Sequence, residues 1–238
     1  MKKALLFIVI VSLIALWPFF KKGYFESHDG ECMVIRFTAF HQTLRSGQFP
    51  VRFVDRLNNN YGYPVVNFLY PLPFYLAEIP KLLGLGFVDS IKTVFIVSTT
   101  LSSALMFVAL RQKFSTASSL AGAVIYLFSP YRFVDLYTRG SIGESVAFAI
   151  IHLCLISIFK IERNKKNYLP VLAISTALLI TAHNVIALFF LPLLIITTVF
   201  YSKKNLKEGL LAYSLGILTA AFFWIPALLD LQYTRFSQ

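Results

Sequence analysis

The stretch "MKKALLFIVIVSLIALWPFFKKGYFESHDGE" (residues 1–31) joins a long apolar run to a polar segment rich in ionisable groups. The run is too long for the apolar core of a signal peptide, and no small-x-small cleavage pattern follows it. Trp17 and the lysines at 21 and 22 are typical of a helix end at a membrane surface. We therefore predict an uncleaved membrane span over residues 1–20.

The composition of the whole chain indicates a polytopic membrane protein. Of its 238 residues, 57% are hydrophobic and 14% are charged, whereas about a quarter of the residues in a soluble domain are charged. The net charge of +11 does not indicate nucleic-acid binding, because the basic residues lie in short clusters between apolar runs. Cys32 and Cys154 lie in different settings, which argues against a disulfide framework or a metal knuckle.

Seven apolar stretches are long enough to cross a bilayer, which takes about 17–25 residues. They lie near residues 3–20, 93–110, 115–132, 142–160, 167–183, 184–201 and 209–229. The predicted fold is an all-α transmembrane bundle of about seven spans. It forms a single domain over residues 1–238, with a long first outer loop (21–92) and six further spans within residues 93–229.

Half of the 22 basic residues fall in four clusters that orient this bundle. The clusters are Lys2 and Lys3; Arg111 and Lys113; Lys160, Arg163, Lys165 and Lys166; and Lys203, Lys204 and Lys207. All four lie on one side of the membrane if residues 21–92 stay outside. Because basic loops favour the cytoplasm, we predict a cytoplasmic-membrane protein with a cytoplasmic N-terminus.

Residues 65–86 are apolar enough to suggest another span, but five residues argue against it. These are Pro71, Pro73, Glu78, Pro80 and Lys81. Prolines interrupt a helix, and the two charged side chains would be costly at mid-bilayer. The pattern predicts a helix in the outer interface.

A second interfacial helix is predicted over residues 31–45, where apolar and polar side chains separate at helical spacing. The apolar side holds Met33, Phe37, Phe40 and Leu44, and the opposite side holds Thr38, Gln42 and Arg45. We expect its apolar face to lie in the lipid boundary.

Two polar clusters on the outer side are candidates for chemistry. His28, Asp29 and Glu31 follow the first span, and ionisable groups gathered at a membrane surface commonly serve a function. The alternative is structural, with Asp29 capping the helix that follows.

The second cluster lies in "FVDLYTRGSIGES" (133–145) and consists of Asp135, Tyr137, Arg139 and Glu144. A guanidinium suits bidentate phosphate binding. The structural alternative is a capping box of Ser141 and Glu144, with Tyr137 and Arg139 as interface anchors.

The remaining candidates carry weaker signals. Tyr61 and Tyr63 could flank a lipid or a sugar, or could belong to an aromatic belt. His183 in "TAHN" is at a helix end, where a histidine more often completes a turn than catalyses a reaction. His152 and Cys154 are mid-span and are expected to be packing residues.

Six segments resemble a family of integral membrane proteins of bacteria and archaea, labelled 6-pyruvoyl-tetrahydropterin synthase-related. They are "SHDG", "RSGQFPVRF", "NYGYPVVNFLYPLPFYLAEIPKLLGLG", "DLYTRGSIGES", "TAHN" and "FFWIPALLD". Despite that label, nothing in the chain resembles the soluble zinc-binding pterin enzyme. The layout also resembles class C glycosyltransferases, which use polyprenyl-phosphate-linked sugars on the outer face of the membrane.

This resemblance implies transfer of a hexosyl or pentosyl group to a glycan, lipid or protein acceptor. Asp29 matches the acid of the first outer loop, and Asp135 falls where an acid of the second loop is expected. His-Asp-Gly-Glu replaces the tight acidic pair of the superfamily. Relatives continue beyond the seventh span, so we expect an N-terminal module.

In this reading Asp29 is the general base, while His28 and Glu31 orient it. Arg139, helped by Arg132 or Arg52, binds the donor phosphate. Substrate contacts are also expected from Asp135, Tyr137, Glu144, Tyr61, Tyr63 and His183. A magnesium or manganese ion is a possible cofactor, with Asp29, Glu31 and Asp135 as candidate ligands.

Two functions of other classes remain open. One is transport or flipping of a lipid-linked substrate, although the chain shows no internal repeat and its polar residues crowd one surface. The other is a non-catalytic partner in assembly of the cell envelope.

Overall fold

The computed structural model of the chain describes residues 1–234, and this part is built from helices. The α-helices are α1 (Lys2–Ala15), α2 (Gly30–Arg45), α3 (Val65–Phe68), α4 (Leu72–Leu82), α5 (Phe87–Leu110), α6 (Thr116–Leu127), α7 (Pro130–Phe133), α8 (Ile142–Glu162), α9 (Leu169–Ala182), α10 (Asn184–Tyr201), α11 (Leu206–Thr219) and α12 (Ala221–Asp230). Within residues 1–234 the only strand-like pairing is an isolated bridge between Val54 and Tyr63. The all-α prediction is confirmed.

Among the described residues, three helices are long and apolar enough to cross a membrane: α5, α8 and α10. A fourth crossing is possible over Lys203–Thr219 and Ala221–Tyr233, which bend by 61° at their junction. These helices match the predicted spans at 93–110, 142–160, 184–201 and 209–229.

The other three predicted spans form shorter helices, because turns and prolines lie at one end of each. α1 has 14 residues and stops just before the Trp17–Phe20 turn, which contains Pro18. α6 has 12 residues and ends before Pro130, and α9 begins at a turn beside Pro170. By length and composition the structure thus has three or four candidate spans.

α8 is the central helix of the bundle. Its apolar window is 83% buried, compared with 17% for α10. Hydroxyl groups join it to α5, since Ser145 Oγ lies 3.2 Å from Ser98 Oγ and 3.1 Å from Thr99 Oγ1. Small hydroxyl residues allow such close helix contact within a membrane.

The predicted helix at residues 31–45 forms as α2, but the expected lipid contact of its apolar face is wrong. Met33, Phe37 and Phe40 are at most 2% exposed and belong to the protein core. The rings of Phe37 and Phe40 lie 6.5 Å and 5.5 Å from that of Phe74 in α4. Aromatic residues of α4 thus give the apolar face of α2 a protein partner.

α4 forms inside the second predicted interfacial segment, with Pro71 at its N-cap and Pro80 within it. Glu78 is buried, and its Oε2 lies 2.8 Å from His41 Nδ1 of α2. This partner explains how an acidic side chain is accommodated there. The first loop ends at residue 86, because α5 starts at Phe87 and not near residue 93.

α12 lies along this first loop (residues 21–86). Near its start, the Phe222 carbonyl accepts a hydrogen bond from Arg52 Nη2 at 3.0 Å. At its end, Asp230 Oδ2 accepts one from Asn67 Nδ2 at 2.8 Å. Both ends of α12 therefore contact the first loop.

Candidate functional site

Two backbone hydrogen bonds join the first loop to the segment before α8. The N–H of His28 donates to the Thr138 carbonyl at 2.8 Å, and the N–H of Asp29 donates to the Arg139 carbonyl at 2.9 Å. The two polar clusters found in the sequence therefore lie side by side, although more than a hundred residues separate them.

Gly140 permits this close approach. Its φ of +68° is left-handed, and a Cβ there would lie 2.7 Å from Ser27 Oγ and 2.9 Å from the Gly30 nitrogen. A side chain at position 140 would thus be strained and would also press on the first loop.

Residues Val134–Arg139 form a wide, π-type turn. The N–H groups of Gly140 and Ser141 both donate to the Asp135 carbonyl, at 2.9 and 3.2 Å. The turn brings Arg139 Nη1 to 3.5 Å from Asp135 Oδ1. Turns of this type inside helical segments are frequent at functional sites.

Glu144 is the centre of the arrangement and is 3% exposed. Its Oε1 lies 2.6 Å from Arg139 Nη2, and its Oε2 accepts a hydrogen bond from the Tyr131 hydroxyl at 2.6 Å. We call Tyr131, Asp135, Arg139, Glu144 and His183 the loop cluster. The capping-box alternative is wrong, because Ser141 makes no side-chain cap and Glu144 is engaged by the cluster.

His183 has a structural role and also faces the cluster. Its Nδ1 accepts a hydrogen bond from the Ile186 N–H at 3.2 Å, capping α10, and its Nε2 lies 3.9 Å from Glu144 Oε1. Burial lowers the pKa of His183, while the charge of Glu144 opposes that change. The ring is therefore neutral at pH 7, and the bond accepted by Nδ1 assigns the proton to Nε2.

Tyr70 is a site residue that the sequence did not single out. Its ring stacks on His183 with centroids 4.6 Å apart, and a Cβ at Gly143 would lie 2.4 Å from the ring. Burial raises the pKa of Tyr70 to about 12; the charges of Asp29 and Glu144 add to the rise, and a hydrogen bond with Ser141 and the charge of Arg36 oppose it. Tyr70 therefore lies within electrostatic range of the first-loop acid and of the cluster.

Arg36 was also missed. No hydrogen bond or ion pair joins its guanidinium to another described residue, so it is available to a ligand. It follows Asp29 by seven residues, which places both on one side of α2. The seven-residue spacing from Asp29 was the feature of the sequence that could have identified Arg36 as a site residue.

Asp29 lies at the N-cap position of α2, yet its side chain makes no capping bond. The hydroxyl of Ser27 accepts from the Gly30 N–H at 3.1 Å instead. The prediction that the Asp29 side chain caps α2 is therefore wrong, and within residues 1–234 no hydrogen bond or ion pair involves its half-buried carboxylate. His28 and Glu31 are exposed beside it.

Tyr137 and Arg132 hold this segment against the rest of the bundle. The Tyr137 hydroxyl donates to the Ala15 carbonyl at 2.5 Å, and its ring packs 5.6 Å from that of Phe19. Arg132 is 2% exposed and donates to Ser102 Oγ at 3.0 Å. The charge of Arg132 also acts on Asp135 of the cluster.

Three further predicted residues lie apart from the cluster. Tyr61 and Tyr63 are exposed, and within residues 1–234 no hydrogen bond, ion pair or ring contact joins either to the cluster. Arg52 lies beside α12. His152 and Cys154 are buried within α8.

The candidate metal ligands do not form one site. Among residues 1–234 no three His, Cys, Asp or Glu side chains are grouped so that they could hold a metal ion. Asp135 is fully buried, whereas Glu31 is exposed on α2. The residues present therefore do not fit a cation held by Asp29, Glu31 and Asp135.

Burial raises the pKa of Asp135 to about 8; the charge of Glu144 adds to the rise, while Arg132 and Arg139 oppose it. Asp135 is therefore protonated at neutral pH. The loop cluster holds one ionised carboxylate, Glu144, against Arg139.

The free energy of unfolding should therefore fall as the pH rises from about 5 to about 8. The folded pKa of Asp135 exceeds its ordinary value of 3.8, so the folded state binds the proton more tightly than the unfolded state. The free energy of unfolding should decline from pH 5 to 8 by up to about 1.4 kcal/mol per pH unit more in the wild type than in Asp135→Asn. Thermal unfolding in detergent would measure this, with exposed Asp55→Asn as the control. Parallel profiles for wild type and Asp135→Asn would contradict it.

An apolar cavity of about 320 Å³, the first groove, lies between α4, α5, α8 and α9. Leu72 and Val146 line it, and these residues follow Tyr70 and Glu144 by two positions. Its other lining side chains are apolar except for Thr93 and Ser98. The first groove thus begins at about the level of Glu144 along α8, on the opposite side of that helix, and runs along the apolar helices.

Comparisons with known proteins leave the activity open. The chain is similar to an uncharacterised protein of Lactococcus lactis subsp. cremoris (strain MG1363), with 24% identity over 241 residues covering 94% of this chain and 39% of that protein. The chain therefore spans about two fifths of the length of this relative. No family model and no solved structure matches the chain.

Proposed function

We propose that this chain is the membrane module of a glycosyltransferase. It transfers a sugar from a polyprenyl-phosphate donor to an acceptor hydroxyl on the outer face of the membrane. The observation that carries the proposal is the pair of backbone hydrogen bonds from His28 and Asp29 to residues 138 and 139. They join a free carboxylate to an arginine-bearing cluster at the level where an apolar groove begins.

The first groove supports a lipid-linked donor. Its volume is at the lower end of the roughly 300–1,000 Å³ typical of ligand pockets, and its walls are almost wholly apolar. An isoprenoid chain lying there would bring its phosphate to the level of Tyr70 and Glu144.

Two arginines serve the phosphate in different ways. Arg139 is held by Glu144 and lies near Asp135, so it fixes the shape and charge of the cluster. Arg36 makes no such pairing and is the residue we assign to the donor phosphate. A guanidinium can bind two phosphate oxygens at once.

Asp29 acts as the general base in this mechanism. Its carboxylate takes the proton of the acceptor hydroxyl, which must come within about 3 Å of it or be reached through one water. The acceptor oxygen forms a bond to the anomeric carbon as the bond from that carbon to the phosphate oxygen breaks. Polyprenyl phosphate leaves, and a single displacement inverts the anomeric configuration.

The number of membrane crossings and their orientation are part of the same proposal. Seven crossings, with the shorter α1, α6 and α9 completing the set, put all four basic clusters on the cytoplasmic side. The N-terminus is then cytoplasmic, and residues 29 and 139 lie on the outer face.

Purified protein in vesicles containing a labelled polyprenyl-phosphate sugar tests this function. We expect the label to move to an acceptor and free polyprenyl phosphate to accumulate in equal amount. Movement of intact donor between leaflets would instead indicate a flippase. No change in the donor would contradict both activities and favour a non-catalytic partner.

A further inference from the structure

A second groove, with a volume of about 450 Å³, lies between α10 and the bent pair α11–α12. Apolar residues form most of its wall, including Leu188, Ile217 and Phe223. Trp224 also lines it, and the indole Nε1 donates to the Ile217 carbonyl at 2.9 Å. The groove is open along the exposed apolar side of α10, which contacts the bilayer if α10 is a span.

The two grooves lie on different sides of α9. Leu178 lines the first groove and Ile180 lines the second. Residues two apart on a helix are separated by about 200° around its axis. α9 therefore divides the grooves, and His183 follows its last residue.

The second groove has an amide in its wall, and a depression next to it has a cation. Exposed Asn184 lines the groove next to His183, and its Nδ2 donates to the Phe68 carbonyl at 3.3 Å. A small depression shares Phe223 with the groove and is lined by Arg52 and Asn67. Arg52 is exposed and uses Nη2 to hold the Phe222 carbonyl, which leaves its other N–H groups for a ligand.

We propose that the second groove binds the acceptor, and that this acceptor is an anionic glycerophospholipid with a free headgroup hydroxyl. The inference rests on the proposed function and names the substrate class of its second site. The acyl chains lie against α10 and Trp224, the phosphate pairs with Arg52, and the headgroup reaches past Asn184 towards His183.

The transfer is then a reaction between two lipids bound on either side of α9. The headgroup hydroxyl loses its proton to Asp29 and gains the bond to the anomeric carbon. The donor loses its carbon–oxygen bond and departs as polyprenyl phosphate. The product is a glycosylated phospholipid that remains in the membrane.

Trp224 allows lipid binding to be measured without catalysis. The chain has two tryptophans, so Trp17→Phe leaves Trp224 as the single indole. This protein would be placed in phosphatidylcholine vesicles containing brominated phosphatidylglycerol, or brominated phosphatidylcholine at the same mole fraction. We expect about fivefold stronger apparent binding of the anionic lipid, because one basic residue near anionic lipid contributes about 1 kcal/mol.

Two substitutions in the Trp17→Phe background make the test specific. Arg52→Gln should bring the preference close to one, whereas Arg56→Gln, at an exposed residue of the same loop, should leave it unchanged. Equal quenching by the two lipids, or a preference that survives Arg52→Gln, would overturn the lipid site.

A transfer assay in the same vesicles separates this inference from the proposed function. Labelled sugar should appear on phosphatidylglycerol. Transfer only to a water-soluble acceptor would overturn the lipid acceptor and leave glycosyl transfer intact. A donor that remains unconsumed in every vesicle would overturn the proposed function itself.

Discussion

Replacing Asp29 with asparagine is expected to reduce the rate of sugar transfer by about 10²–10⁴-fold, the usual contribution of a general base. Asparagine keeps the size of the side chain but cannot take a proton from the acceptor. Donor binding should change little, because the phosphate is assigned to Arg36. The loss should therefore appear in kcat rather than in the KM for the donor.

Glu26→Gln is the matched control for this substitution. Glu26 is exposed in the same loop, and within residues 1–234 no hydrogen bond or ion pair involves it. Its replacement should leave transfer unchanged. Near-normal turnover in Asp29→Asn would remove Asp29 from the mechanism.

Gly140→Ala is expected to separate the two loops. Alanine in a left-handed conformation costs about 1–2 kcal/mol. The added Cβ would also lie 2.9 Å from the backbone nitrogen of Gly30. We expect a further loss of about 1–3 kcal/mol from this overpacking, together with a loss of transfer activity.

Gly47→Ala separates backbone strain from overpacking. Gly47 has a φ of +100°, and an added Cβ there meets nothing within 4 Å. The Gly47→Ala variant should therefore lose only the free energy of unfolding that backbone strain costs, and it should keep its transfer activity. Equal destabilisation by both substitutions, with activity retained in both, would contradict the close contact between the loops.

The sequence predicted the features that depend on local patterns. Helical spacing of Met33, Phe37 and Phe40 predicted α2, and long apolar runs predicted α5, α8 and α10. Apolar spacing shows which side of a helix is buried but not what buries it. The apolar face of α2 therefore contacts other helices of the protein, although contact with lipid was predicted.

The candidate site was predicted only in part, because it depends on contacts between distant segments. Asp29, Asp135 and Arg139 were visible as unusual charges in apolar surroundings. Tyr70 was not visible in this way. Its position depends on Gly143, which has no side chain to clash with the Tyr70 ring, and on stacking of that ring on His183. The lengths of α1 and α6 were overestimated, because hydropathy alone does not register the prolines that follow their ends. The α-helix α9 begins only after the turn at Lys166–Tyr168, which hydropathy does not register either.

Paired cysteines at positions 28 and 138 test most directly whether the two polar loops share one face of the membrane. His28→Cys and Thr138→Cys would be introduced together and singly into a protein carrying Cys32→Ser and Cys154→Ser. Both replaced side chains are exposed, and the backbone of residue 28 bonds to that of residue 138 at 2.8 Å. We predict that an impermeant maleimide labels each single variant in intact cells, and that mild oxidation crosslinks the pair. Labelling of one position from outside and of the other only after permeabilisation would contradict the account.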